Sequence, residues 1–220
     1  MYQLIPAGTH LYRVTDIGRK WQDVVSGLGS YYTAGGRYNR VQQRTVYAAT
    51  DPLVSIAESA FHAAVDRWQP RIGRGFLPPQ PALAAPTPPL ISEHWLWDFT
   101  FDLGMQLVRV ESQAARVAFH HRPYELLNPS QAYRTTADLA DAIRLHPHPR
   151  VAKAMIDGIL APSVRAPSVG RYVPRQQVPF VPPNSRTIAA TFVQRWRMAL
   201  EFRDNSGQSV TGHTRVIAWE

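Results

Sequence analysis

Thr45-Val46-Tyr47-Ala48-Ala49-Thr50-Asp51-Pro52-Leu53-Val54-Ser55-Ile56-Ala57-Glu58-Ser59-Ala60 decides the fold. Its first five residues are β-branched, aromatic or small and read as a strand. Asp51 is a good helix N-cap and Pro52 suits the first helical position. Leu53, Ile56, Ala57, Ala60, Phe61, Ala64, Val65 and Trp68 then recur at three and four, and Pro70 ends the run. The stretch therefore predicts a strand passing directly into a helix, with Glu58 mid-helix between apolar neighbours.

Upstream, Leu11-Tyr12-Arg13-Val14 reads as a strand between Gly8 and Gly18, and Gly27 to Gly36 as a loop with Tyr31, Tyr32 and the Gly35-Gly36 pair. Downstream, residues 77–90 carry six prolines, a density that bars regular structure. Trp95 to Phe101 alternates as a strand, Ala114 to Phe119 reads as a short helix, and Thr136 to Leu145 as an amphipathic one. Gly158 to Ser163 is a short buried strand. Gln177 to Val181 is expected at a sheet edge, because Pro179 cannot donate to a ladder. From Ile188 to Phe202 the apolar residues Ile188, Phe192, Trp196, Met198, Leu200 and Phe202 fall on even positions, predicting one long strand. It turns at Asp204-Asn205-Ser206-Gly207 into a last strand ending near Trp219. These readings give an α+β fold. The domain proper is expected over residues 1–183, with 184–220 a C-terminal hairpin extension packed on it.

The 220 residues, 45% of them hydrophobic, suffice for a buried core without staples. There are no cysteines, which excludes disulfides and thiolate chemistry. The N-terminus lacks the basic-then-apolar pattern of a signal peptide, and no apolar run approaches the roughly 18 residues of a membrane span. A cytoplasmic, membrane-free protein is expected. The formal net charge is +8, and only Lys20 and Lys153 among the cations are lysines. Arginine grips phosphate and carboxylate with a planar fork, so the balance favours a polyanionic partner, although most such arginines are solvated surface charge.

Five residues stand out by context. Arg13 lies inside an apolar strand, where a cation needs a partner or ligand. Arg37 follows a double glycine, which lets backbone approach a ligand. Tyr47 is on the next strand, Glu58 on the inner part of the helix, and Ser163 at the end of a buried strand, with Arg165 beyond. On the residues alone, Arg13 with Glu58 reads equally as a buried ion pair, and Tyr47 as core. No Gly-x-Gly-x-x-Gly opens a helix, which disfavours a Rossmann domain, and no Gly-x-Ser-x-Gly elbow surrounds Ser163. His120-His121 and the pair His146, His148 lack carboxylates or cysteines spaced to complete a metal site, so no metal is expected.

Leu11-Tyr12-Arg13-Val14, Gly36-Arg37-Tyr38-Asn39, Val46-Tyr47-Ala48-Ala49, Ala57-Glu58 and Gly158-Ile159-Leu160-Ala161-Pro162-Ser163-Val164-Arg165, in that order, resemble the RES domain. The resemblance runs from about Gly8 to Pro183, and the proline-rich stretch and the tail have no match in it. It implies an ADP-ribosyltransferase-like single domain with a central mixed or antiparallel sheet and peripheral helices. It also implies a bacterial type II toxin that depletes NAD by cleaving the nicotinamide–ribose bond, by hydrolysis or phosphorolysis. The implied partner is an antitoxin with an Xre-type helix-turn-helix, through which alone DNA is met. The family's Arg, Glu and Ser carry over to Arg37, Glu58 and Ser163 as catalytic residues, with Ser168 a rival for the serine. Arg13, Arg37, Tyr38 and Tyr47 carry over as NAD-binding residues.

The chemistry suits these side chains. Nicotinamide departs neutral and needs no general acid, so the difficulty lies in the oxocarbenium charge developing on the ribose. A fixed carboxylate beside it, Glu58, stabilises that charge. Arg13 and Arg37 would fork the pyrophosphate, Tyr47 would stack on the nicotinamide or pack against the ribose, and Ser163 would hydrogen-bond the carboxylate or a ribose oxygen and fix its orientation. NAD enters as substrate, with inorganic phosphate a possible co-substrate, and no bound cofactor is expected. Two other readings remain: transfer of ADP-ribose to a protein, and a basic nucleic-acid-binding module using Arg195 and Trp196.

Overall fold

In the computed structural model, Gly158–Pro162 is buried at every position, and the reason is its place inside a nine-stranded sheet. The residues described are 1–27, 37–59, 90–122, 132–163, 176–180, 189–203 and 213–219. Outside them lie the Gly35-Gly36 pair, the helix positions from Ala60 to Pro70, residues 77–89 of the proline-rich stretch, Arg165, Ser168 and the turn at 204–207.

The strands are β1 (Tyr2–Ile5), β2 (Leu11–Asp16), β3 (Val46–Ala49), β4 (Leu90–Phe101), β5 (Met105–Arg109), β6 (Gly158–Pro162), β7 (Gln176–Phe180), β8 (Ala190–Arg203) and β9 (His213–Trp219). Their order is β1-β5-β6-β7-β3-β2-β4-β8-β9. The β5–β6 pair is parallel and the others are antiparallel. The class is α+β with a mixed sheet, as expected. β2 meets β3 at one register pair, Tyr12 with Ala49, which joins the ladders of a five-stranded half and a four-stranded half.

The helices are α1 (Trp21–Ser26), α2 (residues 52–59), α3 (Gln113–Ala118) and α4 (Ala132–Arg144). Strand alternation separates two faces. Leu11, Val46, Ala48, Trp97, Phe99, Leu107 and Leu160 point toward α1 and pack with Trp21 and Val24. Val108, Ile159 and Ala161 point the other way, onto Leu139, Ala140 and Ile143 of α4. Val14, Leu96, Met198 and Leu200 share that second face and pack on Ile56 of α2.

Three expectations are corrected. β7 is an interior strand, between β6 and β3. Its ladder to β6 pairs Gly158 with Phe180 and Ala161 with Gln177 and skips the two positions between. That gap faces Val178 and Pro179, so the proline's missing N–H falls where the ladder is already broken. In β8 the even positions do not share one face. The β4–β8 register pairs Asp98 with Gln194 but Phe99 with Phe192, leaving Val193 as a bulge. One inserted residue reverses the alternation. Trp196, Met198 and Leu200 therefore pack on the α2 face, whereas Phe192 stacks edge-on against Trp21 and Trp97 on the α1 face. In α2, Leu53 is 56% exposed, because the packing of Ile56 on Val14 and Leu96 turns Val54, Ser55 and Glu58 inward.

Candidate functional site

The site forms at the seam between the two halves of the sheet. Pro162 is in register with Gln176, Gln177 with Ala49, and Ala49 with Tyr12. The C-terminal ends of β6 and β3 therefore come level across the sheet, and α2 starts there. Asp51 accepts a 2.8 Å hydrogen bond from the Leu53 N–H, the N-cap that the sequence predicts.

Glu58 lies one turn after Val54, on the same buried side of α2. It is 7% exposed, and Oε1 accepts a hydrogen bond from Ser163 Oγ at 2.5 Å. Ser163 directly follows β6, so the bond ties α2, packed on the four-stranded half, to the central strand of the five-stranded half. A short O–H···O contact to a carboxylate fixes its orientation more firmly than a neutral pair would.

Arg37 is half-buried beside this pair. Its Nη1 donates to the Pro162 carbonyl at 3.3 Å, one residue before Ser163. Its Nη2 is buried and has no hydrogen-bond partner among the described residues. A buried guanidinium nitrogen without an acceptor is costly, and a bound anion would supply one. The guanidinium carbon sits 5.2 Å from the centroid of the Tyr38 ring. Tyr38 is fully buried, and its hydroxyl also lacks a partner among the described residues. Burial pushes the phenol up to about 12; the Arg37 charge and the approach of its guanidinium to the hydroxyl oppose this, while Glu58 and Glu111 add to it. The Tyr38 hydroxyl is thus a neutral donor near two carboxylates. Tyr47 supports the same loop: its hydroxyl accepts from the Tyr38 N–H at 2.9 Å and donates to Asn39 Oδ1 at 2.7 Å. Its position is that of a buttress under Tyr38.

Arg13 stands apart from this cluster. Alternation along β2 puts it on the α1 face with Leu11, and Nη1 donates to the Val24 carbonyl at 2.6 Å. That carbonyl is in the last turn of α1, where a cation both caps and complements the helix dipole. Burial first, and the Arg19 charge second, lower its pKa to about 10, with Tyr47 acting in the opposite sense. Arg13 therefore stays cationic at neutral pH. α1 ends at Gly27, whose φ of 66° is left-handed and where a Cβ would lie 2.8 Å from the Thr45 backbone nitrogen. Arg13 thereby steadies the helix end that abuts the base of the Arg37 loop.

Two residues escaped the sequence reading. Arg144, at the end of α4, donates from Nη2 to the Tyr38 carbonyl at 3.1 Å and to Thr45 Oγ1 at 2.9 Å. Asn39 is 1% exposed and bonded to Tyr47. Neither carries a local signal, since an arginine closing a helix looks like an ordinary C-terminal charge. Three of the four histidines singled out have structural partners: His121 with the Val110 carbonyl, His146 with the Tyr2 hydroxyl, His148 with Asp157. Among the described residues no group of three or more His, Cys, Asp or Glu could hold a metal ion. No helix among them is long and apolar enough to cross a membrane.

The chain is similar in fold to a chain of a solved structure described as the M. tuberculosis MbcT–MbcA toxin–antitoxin complex. The TM-score is 0.56 at 14% sequence identity, over 87% of this chain and 85% of that one. No curated protein matches the chain. The family model described as the RES domain matches residues 10–200, a span that takes in β2 through most of β8 and every residue of the cluster. The protein therefore belongs to the RES-domain family.

Proposed function

We propose that the protein is the toxin of a toxin–antitoxin pair and that it consumes NAD by cleaving the nicotinamide–ribose bond. The observation that carries this reading is the buried Glu58–Ser163 pair, bonded at 2.5 Å, beside Arg37, whose buried Nη2 makes no hydrogen bond among the described residues. A carboxylate held in one orientation and shielded from water matches a developing cation far better than a solvated one does. Arg37 offers the anion contact for the pyrophosphate, and Tyr38 and Tyr47 form its wall. Arg13 adds positive potential while it caps α1. The reaction balances simply: the C–N bond to nicotinamide breaks, the ring takes the bonding pair, and water or inorganic phosphate adds to the anomeric carbon. Transfer of ADP-ribose to a protein acceptor would use the same first step. Membership of the RES family and the shared fold with a chain of a toxin–antitoxin complex support an antitoxin partner, for which we propose an Xre-type helix-turn-helix protein, and a cytoplasmic site of action.

The test is release of nicotinamide from NAD by the purified, partner-free protein, with and without phosphate, with the sugar product identified. Glu58→Gln and Arg37→Ala should each lower turnover by about a hundredfold or more while leaving circular dichroism unchanged. A folded wild type that leaves NAD intact in both buffers overturns the reading. Labelling of an added protein by ADP-ribose would identify the acceptor as macromolecular.

A further inference from the structure

We infer that α4 is the positioning clamp of the site, with Arg144 as its principal residue. The inference rests on the proposed role of Arg37 as an anion-binding residue. The segment from Arg37 to Thr45 has one apolar anchor, Tyr38, buried against Leu139, Ala140 and Ile143 of α4, and little beyond it. Val41 is 57% exposed, and Gln42 adopts a left-handed φ of 65°. The rest of its shape is set by polar contacts from two sides. From the sheet, Tyr47 holds Tyr38 and Asn39. From the helix come three side chains spaced by three residues, hence on one face of α4: Asp138, Asp141 and Arg144.

The outer arm is exposed. Arg40 donates to both Asp138 and Asp141, the latter from Nε at 2.5 Å, and Gln43 Nε2 donates to Asp141 Oδ1 at 2.7 Å. The inner arm is Arg144. One guanidinium nitrogen binds the carbonyl of Tyr38, the residue after Arg37, and also Thr45, the residue before β3. It thereby staples the two ends of the loop to each other. Burial lowers the Arg144 pKa, with Asp141 and Tyr47 acting in the opposite sense. A cation placed in such surroundings contributes specificity of geometry more than stability. Fixing the Tyr38 carbonyl fixes the peptide that orients the Arg37 side chain, while Arg144 itself contacts backbone and Thr45. Its part is to preorganise the anion contact, which acts chiefly on substrate binding.

The experiment compares Arg144→Met, Arg144→Lys and Arg40→Ala with the wild type. It measures KM and kcat for nicotinamide release, and amide hydrogen exchange over residues 38–45. The clamp predicts that Arg144→Met raises KM by about tenfold with kcat changed less than about threefold, and speeds exchange in that segment. Arg144→Lys recovers part of both, and Arg40→Ala, lacking only the exposed arm, shifts KM and exchange by less than Arg144→Met. Unchanged KM and unchanged exchange in Arg144→Met overturn the clamp. A fall in kcat at constant KM also overturns it, because the residue would then act on the chemistry. If the wild type does not cleave NAD, the functional reading fails on its own, and exchange still decides whether α4 holds the loop. Should Arg144→Met not fold, the same comparison is made with Arg40→Ala, for which wild-type KM and exchange would overturn the clamp.

Discussion

Glu58 and Ser163 are 105 positions apart in the chain and 2.5 Å apart in space. Each alone is ordinary; together they make a carboxylate that is buried yet held. Tyr38, close to Glu58, carries its own prediction. Tyr38 has its phenol raised to about 12 by burial, against an ordinary value of 10.0. A raised pKa stabilises the fold below the unfolded value, and that contribution is lost as pH climbs from about 10 to about 12. Urea midpoints measured at pH 8 and again near pH 11 should fall more steeply for the wild type than for Tyr38→Phe. Equal slopes would show that Tyr38 does not ionise differently in the folded protein.

At the scale of elements, α2 presents the carboxylate, and its start is fixed by one side chain. Asp51→Ala removes the acceptor of the Leu53 N–H and should cost about 1 kcal/mol. In a chain of this size that lowers the calorimetric midpoint by about 2–4 °C. An unchanged midpoint would mean that Ile56 and its neighbours anchor the helix without the cap. The bulge at Val193 works on β8 in a similar way. By reversing the alternation it sends Phe192 to the α1 face, and Arg195 then stacks 4.0 Å from the Trp95 ring centroid on that same face. Of the two residues that suggested nucleic acid, Arg195 is thereby engaged with Trp95, and Trp196 packs on the opposite face with Leu96 and Met198.

For the molecule as a whole, the two halves of the sheet are in register only at Tyr12 and Ala49, share the core on the α1 face, and are bridged by the site. The four-stranded half includes β8 and β9, which lie in the segment expected to be an extension. β8 pairs with β4 along nearly its whole length, and Met198 and Leu200 are 1% and 0% exposed. Ending the chain at Pro183 would strip both side chains from the core, at about 2–5 kcal/mol each, and bare the edge of β4. That approaches the whole stability of a typical domain, about 5–15 kcal/mol. The shortened chain should be insoluble or lack a cooperative unfolding transition; a soluble, cooperatively folding product would show the tail to be dispensable.

What was legible locally was legible for local reasons. The strand at Val46–Ala49, the cap at Asp51, the start of α2, the short helix near Gln113 and the buried strand at Gly158–Pro162 each follow from periodicity, caps or proline. The order of short motifs was enough to bring Arg37, Tyr38, Tyr47, Glu58 and Ser163 under one family and one expected pocket. The tertiary structure decided everything that depends on register and on which strand lies beside which. It placed Pro179 in the interior, because a neighbouring ladder has a gap there. It split β8 between two faces through one inserted residue. It set Arg13 against Val24 on the far face of β2, and it brought Arg144, 106 positions away, onto the Tyr38 carbonyl. Periodicity fixes which residues share a face of their own element. Only the pairing of elements fixes what that face meets.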